Sequence, residues 1–391
     1  MRRFFARALV CAAVLLAACG APLSAGPLTP ERLYVGINQE MVVGVQRPGN
    51  AASVRLVLLD AGGRVITRSG EIEGNRVAVD QVLTGVWSGR ESAGEKPVEV
   101  PTTGMTPGDL AIAARGVVYV QMEVGRDEST GAKTDEPVEG KGDERKRVYT
   151  MEGAALVLQP MVSPARAEVR PAVGGAAGAA GAGGVEMVFP KEKQPTVNCF
   201  SGYRVYVDGL VKMKTGAGEL TIKLRPDVAP NTAWNFRHLA ESGFYNGTDF
   251  HRVVPVGRVA GKGFVVQGGD PTSTGEGTPG YDIRFEASAL KHDFGVVSMA
   301  RDAEADTAGA QFFICLSREE TARLDGLYCA FANIVEGESV RTLRVIESGK
   351  LLPGGDRPEK PVKIERAWVE DAPPRDQQPT QAKVGGADGG R

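Results

Sequence analysis

Residues 174–184 read GGAAGAAGAGG, eleven consecutive positions that hold only Gly and Ala. Such a run has no side chains with which to bury apolar area, and its glycines disfavour helix. No single core extends through it, so the chain is expected to fold as two units joined by a Gly/Ala/Pro-rich linker over residues 164–195. A length of 391 residues agrees with two or three domains at about 150 residues each. Gly (51) and Pro (24) are enriched but stay below the ~25–30% share of low-complexity chains, so most of the sequence is expected to fold.

Lys plus Arg (46) nearly balance Asp plus Glu (48), for a net charge of −2. A nucleic-acid surface needs a basic excess, and no nucleic-acid partner is expected. Three histidines, His238, His251 and His292, are too few and too scattered for a multi-histidine centre, so no metal is expected. Arg2, Arg3 and Arg7 precede an apolar run over residues 8–18, the basic and apolar parts of an export signal. That run is too short to span a bilayer as a helix. It ends in Leu16-Ala17-Ala18-Cys19-Gly20, which resembles the lipobox of bacterial lipoproteins, where small residues admit the peptidase and the Cys thiol receives the lipid. Residues 1–18 are thus read as a lipoprotein signal peptide, Cys19 as the lipidated N-terminus and residues 19–31 as a tether. Several acyl chains on one residue anchor stably where one is marginal. The expected location is the bacterial cell envelope, facing the periplasm, and Gly20 resembles the residue found in lipoproteins that move on to the outer membrane. Of the remaining cysteines, Cys199 is left over, while Cys315 and Cys329 read either as one bridge or as two buried thiols, the second being preferred.

Short apolar runs at residues 33–35, 41–43, 54–59, 117–120 and 155–158 are broken by Gly, Pro and Asn, with no helical period. Residues 54–59, Asp60-Ala61-Gly62-Gly63 and residues 64–67 read as a hairpin, and the set as a β-sandwich-like domain over residues 32–163. Residues 126–147 carry 13 charges of mixed sign in 22 positions and read as a solvated loop. Residues 371–391, rich in Pro, Gln, Gly and Ala, are expected to be a disordered tail.

The second unit, residues 196–370, has a strand pattern at 218–224, a helix after Pro230 with Ala233, Phe236, Leu239 and Ala240 inward and Gly243 as its stop, and a second helix over 338–348. Between them lie strand-like runs at 264–267, 295–300, 311–315 and 328–331, a pattern that suggests a barrel closed at its ends. Phe250-His251-Arg252-Val253-Val254-Pro255, Phe264-Val265-Val266-Gln267-Gly268-Gly269-Asp270, Val297-Ser298-Met299-Ala300, Gly309-Ala310-Gln311-Phe312-Phe313-Ile314 and Leu324-Asp325-Gly326 follow in that order. Together these blocks resemble a cyclophilin-type peptidyl-prolyl cis-trans isomerase. The resemblance implies a mainly β chain: an eight-stranded antiparallel β-barrel with two capping helices, preceded here by the smaller β-sandwich-like domain. By spelling alone, residues 275–280 fit G-x-G-x-x-G, but they hold Pro279 and open no helix, so dinucleotide binding is set aside.

Isomerisation of an Xaa-Pro bond needs no cofactor. Its barrier of about 20 kcal/mol reflects amide resonance, and it falls when a donor stabilises the twisted amide while an apolar pocket holds the ring. By resemblance, Arg252 is the catalytic donor and His251 a groove-side positioning residue. Phe264, Val265, Phe313 and Leu324 match the proline pocket, Gln267 and Gln311 the groove hydrogen bonders, and Ala300, Arg301 and Tyr328 further groove residues. The implied partners are Xaa-Pro-containing polypeptides and the membrane reached through Cys19, with a monomer as the default. The sequence departs from the family in four places. About seven residues are inserted between Pro255 and Phe264, Arg323 stands where a Trp is frequent before Leu324, Tyr328 stands where eukaryotic members often carry His, and Arg301 replaces a frequent Asn. The insertion leaves two readings: an isomerase of altered sequence preference, or a proline-peptide-binding module or envelope scaffold without useful catalysis.

Overall fold

The computed structural model describes residues 26–36, 39–79, 116–128, 146–163, 168–171, 185–188 and 199–383. Cys19, the signal segment and the Gly/Ala run itself lie outside the described residues. The first unit contains β1 (Leu28–Pro30), β2 (Tyr34–Gly36), β3 (Val42–Val45), β4 (Ser53–Leu59), β5 (Val65–Arg68), β6 (Arg76–Ala78), β7 (Val118–Glu128) and β8 (Lys146–Ser163), followed by β9 (Glu168–Pro171), β10 (Val185–Val188) and β11 (Cys199–Val207). One antiparallel sheet runs β2-β11-β8-β7-β4-β5 and a second runs β1-β3-β6. Leu28, Val43 and Val77 of the smaller sheet share a core with Val54, Leu56, Leu58, Val120 and Leu156 of the larger, which makes a sandwich. The intervening residues of the same strands, Val57, Leu59, Tyr119, Val157 and Tyr206, are also buried, in a separate cluster on the opposite face. Burial on both faces explains why residues 56–59 are apolar without a break.

Three boundary expectations need correction. Residues 19–31 are not wholly a tether, because β1 pairs with β3 and Leu28 is fully buried. The second unit does not begin at residue 196. β11 lies between β2 and β8, with Tyr203 and Val205 in the sandwich core, and the chain passes into the second unit only at Asp208. The Gly/Ala run therefore does not separate the two units. It lies between β9 and β10, which pair antiparallel with Val185 opposite Pro171. A hairpin connection needs no core side chains, just as a tether needs none, and only the long-range pairing tells them apart. Third, residues 371–383 are ordered. Ala372 and Ala382 are buried, the Ala372 amide donates to the Asp208 carbonyl at 2.9 Å, and Val335 bridges to Gln381. Of the charged stretch at 126–147, the ends belong to β7 and β8, where Arg147 pairs with Asp127 at 2.8 Å.

The second unit comprises β12 (Gly209–Thr215), β13 (Gly218–Leu224), α1 (Pro230–Glu241), β14 (Arg252–Val254), β15 (Val265–Gly268), β16 (Val296–Met299), β17 (Phe312–Cys315), α2 (Arg318–Thr321), β18 (Ala330–Ile334), α3 (Glu338–Glu347) and β19 (Ile364–Asp371). Its eight strands form one antiparallel sheet, β14-β15-β17-β16-β18-β13-β12-β19. The two edges are drawn together where the Phe250 amide donates to Val362 O (3.0 Å) and the Ile364 amide to Thr248 O (2.8 Å). α1 starts with Pro230 at its first turn, and its free amides at Asn231 and Thr232 are capped by the distant Glu286 carboxylate at 3.0 and 2.7 Å. Phe236 and Leu239 of α1, and Val340, Leu343 and Ile346 of α3, cover the interior, where Phe236, Tyr245, Phe312 and Phe331 meet.

Trp234, on the outer side of α1, packs against the second cluster of the sandwich, its ring 4.9 Å from that of Tyr206. The two units thus share apolar contact. Cys315 and Cys329 are free, buried thiols, and burial raises the Cys329 pKa to about 11.

Candidate functional site

Strand register builds the site. Arg252 lies opposite Gln267 across β14 and β15, and Gln267 lies opposite Phe313 across β15 and β17. Because neighbours along a strand face opposite ways, Phe312 and Ile314 enter the barrel core while Phe313 joins a separate outer cluster with Val265 and Leu324. Arg252, Phe264, Val265, Gln267, Ala300, Arg301, Phe313, Leu324 and Tyr328 line one pocket of about 170 Å³. That is well below the roughly 300–1,000 Å³ of sites for drug-sized ligands, and matches a single small ring. The inserted loop contributes none of these lining residues. A neighbouring hollow of about 140 Å³ shares Gln267, Ala300 and Arg301 and adds Gln311 and Thr278.

The polar groups are held in a chain. Arg252 donates through Nε to Asp356 Oδ2 (3.2 Å) and through Nη1 to Gln267 Oε1 (3.2 Å), and its Nη2 is also 3.2 Å from Asp356. Gln267 Nε2 donates to Gln311 Oε1 at 3.0 Å, and Gln311 Nε2 donates to the carbonyls of Gly275 and Gly277. The loop carrying those carbonyls is organised by the Asp270 carboxylate, which accepts from the amides of Thr272 (2.7 Å) and Thr274 (3.0 Å). Burial opposes the Asp270 charge, but the Thr272 amide and hydroxyl and the amides of Gly275 and Gly277 outweigh it, and its pKa falls below the ordinary aspartate value. Of the apolar walls, Phe313 meets Tyr328 edge-on at 5.7 Å, Arg301 stacks over Tyr328 at 4.7 Å, and Arg323 over Phe264 at 4.3 Å.

His251 does not join this group. It follows the alternation of Val253, away from Arg252, and is buried beside Asp249 and Asp270 outside the pocket lining. Its groove-side placement is therefore corrected. His292, to which no role was given, stacks beneath Phe313 at 6.1 Å, with Nδ1 donating to Asp325 and Nε2 accepting from Ser298, each at 3.0 Å. Burial lowers its pKa and keeps it neutral in this arrangement. The Ser-His-Asp spelling is not a nucleophile site, since Ser298 and His292 are sealed from solvent. It ties the Leu324-Asp325 turn to the pocket floor. Asp356 was missed because it acts on Arg252 across 104 residues of sequence, and Asp270, which closes the Phe264–Asp270 block, was given no role because its partners are backbone amides of the following loop.

Residues 210–369 match the family model for cyclophilin type peptidyl-prolyl cis-trans isomerase/CLD, beginning two residues after the structural junction at Asp208. A peptidyl-prolyl cis-trans isomerase of Synechococcus elongatus is 39% identical over 137 residues, which cover 35% of this chain and 88% of that protein. The chain belongs to the cyclophilin-type peptidyl-prolyl isomerases. A peptidyl-prolyl cis-trans isomerase-like 2 protein of Cryptococcus neoformans is 41% identical over 162 residues, 40% of this chain, and there the match spans only 26% of the relative's length. A solved cyclophilin-type isomerase of Cryptosporidium parvum, determined in the presence of the dipeptide Ala-Pro, is 30% identical and covers 41% of this chain and 98% of its own, with a TM-score of 0.37. The cyclophilin unit thus accounts for the pocket, while the sandwich lies outside the matched residues.

Proposed function

We propose that this cyclophilin catalyses cis-trans isomerisation of Xaa-Pro bonds in exported polypeptides, held at the bacterial envelope membrane by lipid on Cys19. The reading is carried by the convergence of Arg252 with Phe264, Val265, Gln267, Phe313 and Leu324 on one ring-sized pocket. The ring of the substrate proline is held against Phe313, Leu324 and Val265 while the preceding residues rotate. As the amide twists, its nitrogen regains a lone pair, which the Arg252 guanidinium is placed to meet as a donor. Arg252 has five N–H groups, and Asp356 and Gln267 hold the fork from two sides while leaving donors free. A donor interaction that strengthens only in the twisted state lowers the barrier without tightening ground-state binding. The envelope assignment is supported by Arg2, Arg3 and Arg7, the short apolar run and Leu16-Ala17-Ala18-Cys19.

The test is the isomerisation rate of short Xaa-Pro peptides with the chain lacking residues 1–19, beside an Arg252→Ala variant checked for folding. Loss of one oxyanion-type donor costs about 10²–10³ in rate, and a loss of that order is expected. A folded wild type no faster than buffer on several peptides rejects catalysis and leaves the binding-module reading. Cys19→Ser should move the full chain from the membrane fraction to the soluble one; retention at the membrane rejects the anchor.

A further inference from the structure

We infer that the inserted loop, residues 256–263, is a preformed extension of the pocket rim that engages apolar client residues flanking the proline. The inference rests on the isomerase reading for the identity of its ligand. Both ends of the loop are fixed at the pocket wall. It leaves β14 after Val254 and returns at Phe264, whose amide donates to Val254 O at 2.8 Å and whose side chain lines the pocket.

Between those ends the loop backbone wraps around one carboxylate. Glu320 of α2 has no exposed surface, and its oxygens accept from the amide of Val259 (3.0 and 3.1 Å) and from that of Ala260. Burial opposes the Glu320 charge, yet the amides of Ala260, Val259, Lys262 and Gly261 outweigh it and hold its pKa below the usual glutamate value. Gly257 permits the close approach: a Cβ there would lie 2.2 Å from the Glu320 carboxylate. The loop also closes on itself, the Gly257 amide donating to Lys262 O at 2.6 Å, and Lys262 pairs with Glu319.

With its backbone turned to Glu320, the loop leaves its apolar side chains outside. Val256 and Val259 are 67% and 66% exposed, more than any other large apolar side chain among the described residues. An ordered loop that already displays two valines to water pays little ordering entropy when a ligand covers them. The connection to the pocket is direct. Glu320 O accepts from Arg323 Nη1 at 2.8 Å, and the Arg323 guanidinium covers the Phe264 ring. Leu327, 56% exposed, adds an apolar residue near the Arg301 end, where its carbonyl accepts from Arg301. An extended client with its proline in the pocket would carry a neighbouring apolar residue past the Phe264 end of the pocket and onto Val256 and Val259.

The experiment uses the chain lacking residues 1–19 and two ten-residue Ala-Pro peptides, one flanked by valine and leucine and one by serine. Both kcat/KM, from the exchange rate, and Kd, from fluorescence anisotropy of labelled peptides, are measured. The wild type should prefer the apolar flanks by about fivefold, the size expected for covering part of two valine side chains. The double variant Val256→Ser, Val259→Ser should bring that ratio to about one, and Glu320→Gln should lower it part-way by unseating the loop. An equal preference in the wild type, or a preference that survives the double substitution, overturns the inference. Arg252→Ala should lose exchange on every peptide while keeping the ratio of Kd values. If the wild type turns over none of the peptides, the isomerase reading fails, and the Kd ratio alone decides the role of the loop.

Discussion

Replacing Arg375 by Ala tests whether the segment after β19 fastens the two units to each other. Arg375 and Asp208 have side chains only 10% and 11% exposed, with Nη1 to Oδ2 at 3.4 Å. Its Nη2 donates to the Ala61 carbonyl at 2.8 Å, and its guanidinium carbon lies 3.8 Å from the centre of the Tyr119 ring. Ala61 and Tyr119 belong to the sandwich, Asp208 is the junction, and Arg375 comes from the far end of the chain. Removing one member of a buried pair costs about 3–5 kcal/mol when the other is left bare. Here Gln378 Nε2 still donates to Asp208 at 2.7 Å, which keeps part of that charge satisfied. Loss of the contact with Tyr119 adds about 1 kcal/mol, and loss of the hydrogen bond to Ala61 O a similar amount. With the bare-charge cost cut to about 1 kcal/mol by the Gln378 hydrogen bond, the three contributions sum to about 3 kcal/mol. Urea unfolding of the chain lacking residues 1–19, followed by tryptophan fluorescence and by circular dichroism, should show the loss in the midpoint. Arg375→Lys keeps the charge without the fork and should recover less than half. A change below about 0.5 kcal/mol, the range of ordinary surface substitutions, would refute the reasoning.

Two further outcomes are expected. Asp356→Ala should lower kcat/KM about tenfold by freeing the Arg252 fork, while stability changes by under about 1 kcal/mol because the pair is 40% and 47% exposed; Asp356→Asn should restore part of the rate, and a loss of stability without a loss of rate contradicts the positioning role. Burial holds both His251 and His292 below the ordinary histidine pKa, so the unfolded chain binds protons below about pH 6.5 that the folded chain refuses. Stability should accordingly be flat above pH 7 and decline as pH falls through 6.5, by at most about 1.4 kcal/mol per unit for each histidine, whereas stability that rises between pH 7 and 5 contradicts that sign.

The pocket was legible because its residues come in ordered local blocks. Phe264, Val265 and Gln267 share one short strand, Phe313 another, and period-two alternation sends them to the outer face once the strands pair. The α1 boundaries were equally readable from Pro230 and from Gly243, whose φ of +75° suits a helix stop. His251 was misplaced because a motif gives neighbourhood and not direction, and one step along the chain turns a side chain to the other face. Glu320 and Asp356 do their work across 60 and 104 residues of sequence, where no spacing pattern reports them. The boundary between the units was hidden for a related reason. Gly/Ala composition describes what residues 174–184 lack, while the place of β11 depends on a partner strand, β8, that runs antiparallel to it.

That placement of β11 bears on how the chain is made. A polypeptide that leaves the ribosome N-terminus first releases β7 and β8 while the strand that will cover the β8 edge is still behind them. Until residues 199–207 emerge, β8 offers a long row of unpaired amides and carbonyls with Leu156 and Leu158 alongside, the kind of edge that recruits strands from other molecules. The sandwich is therefore complete only when the strand that leads into the isomerase unit has emerged, and cleavage between β9 and β10 would leave β11, a strand of the sandwich, on the fragment that carries the isomerase unit.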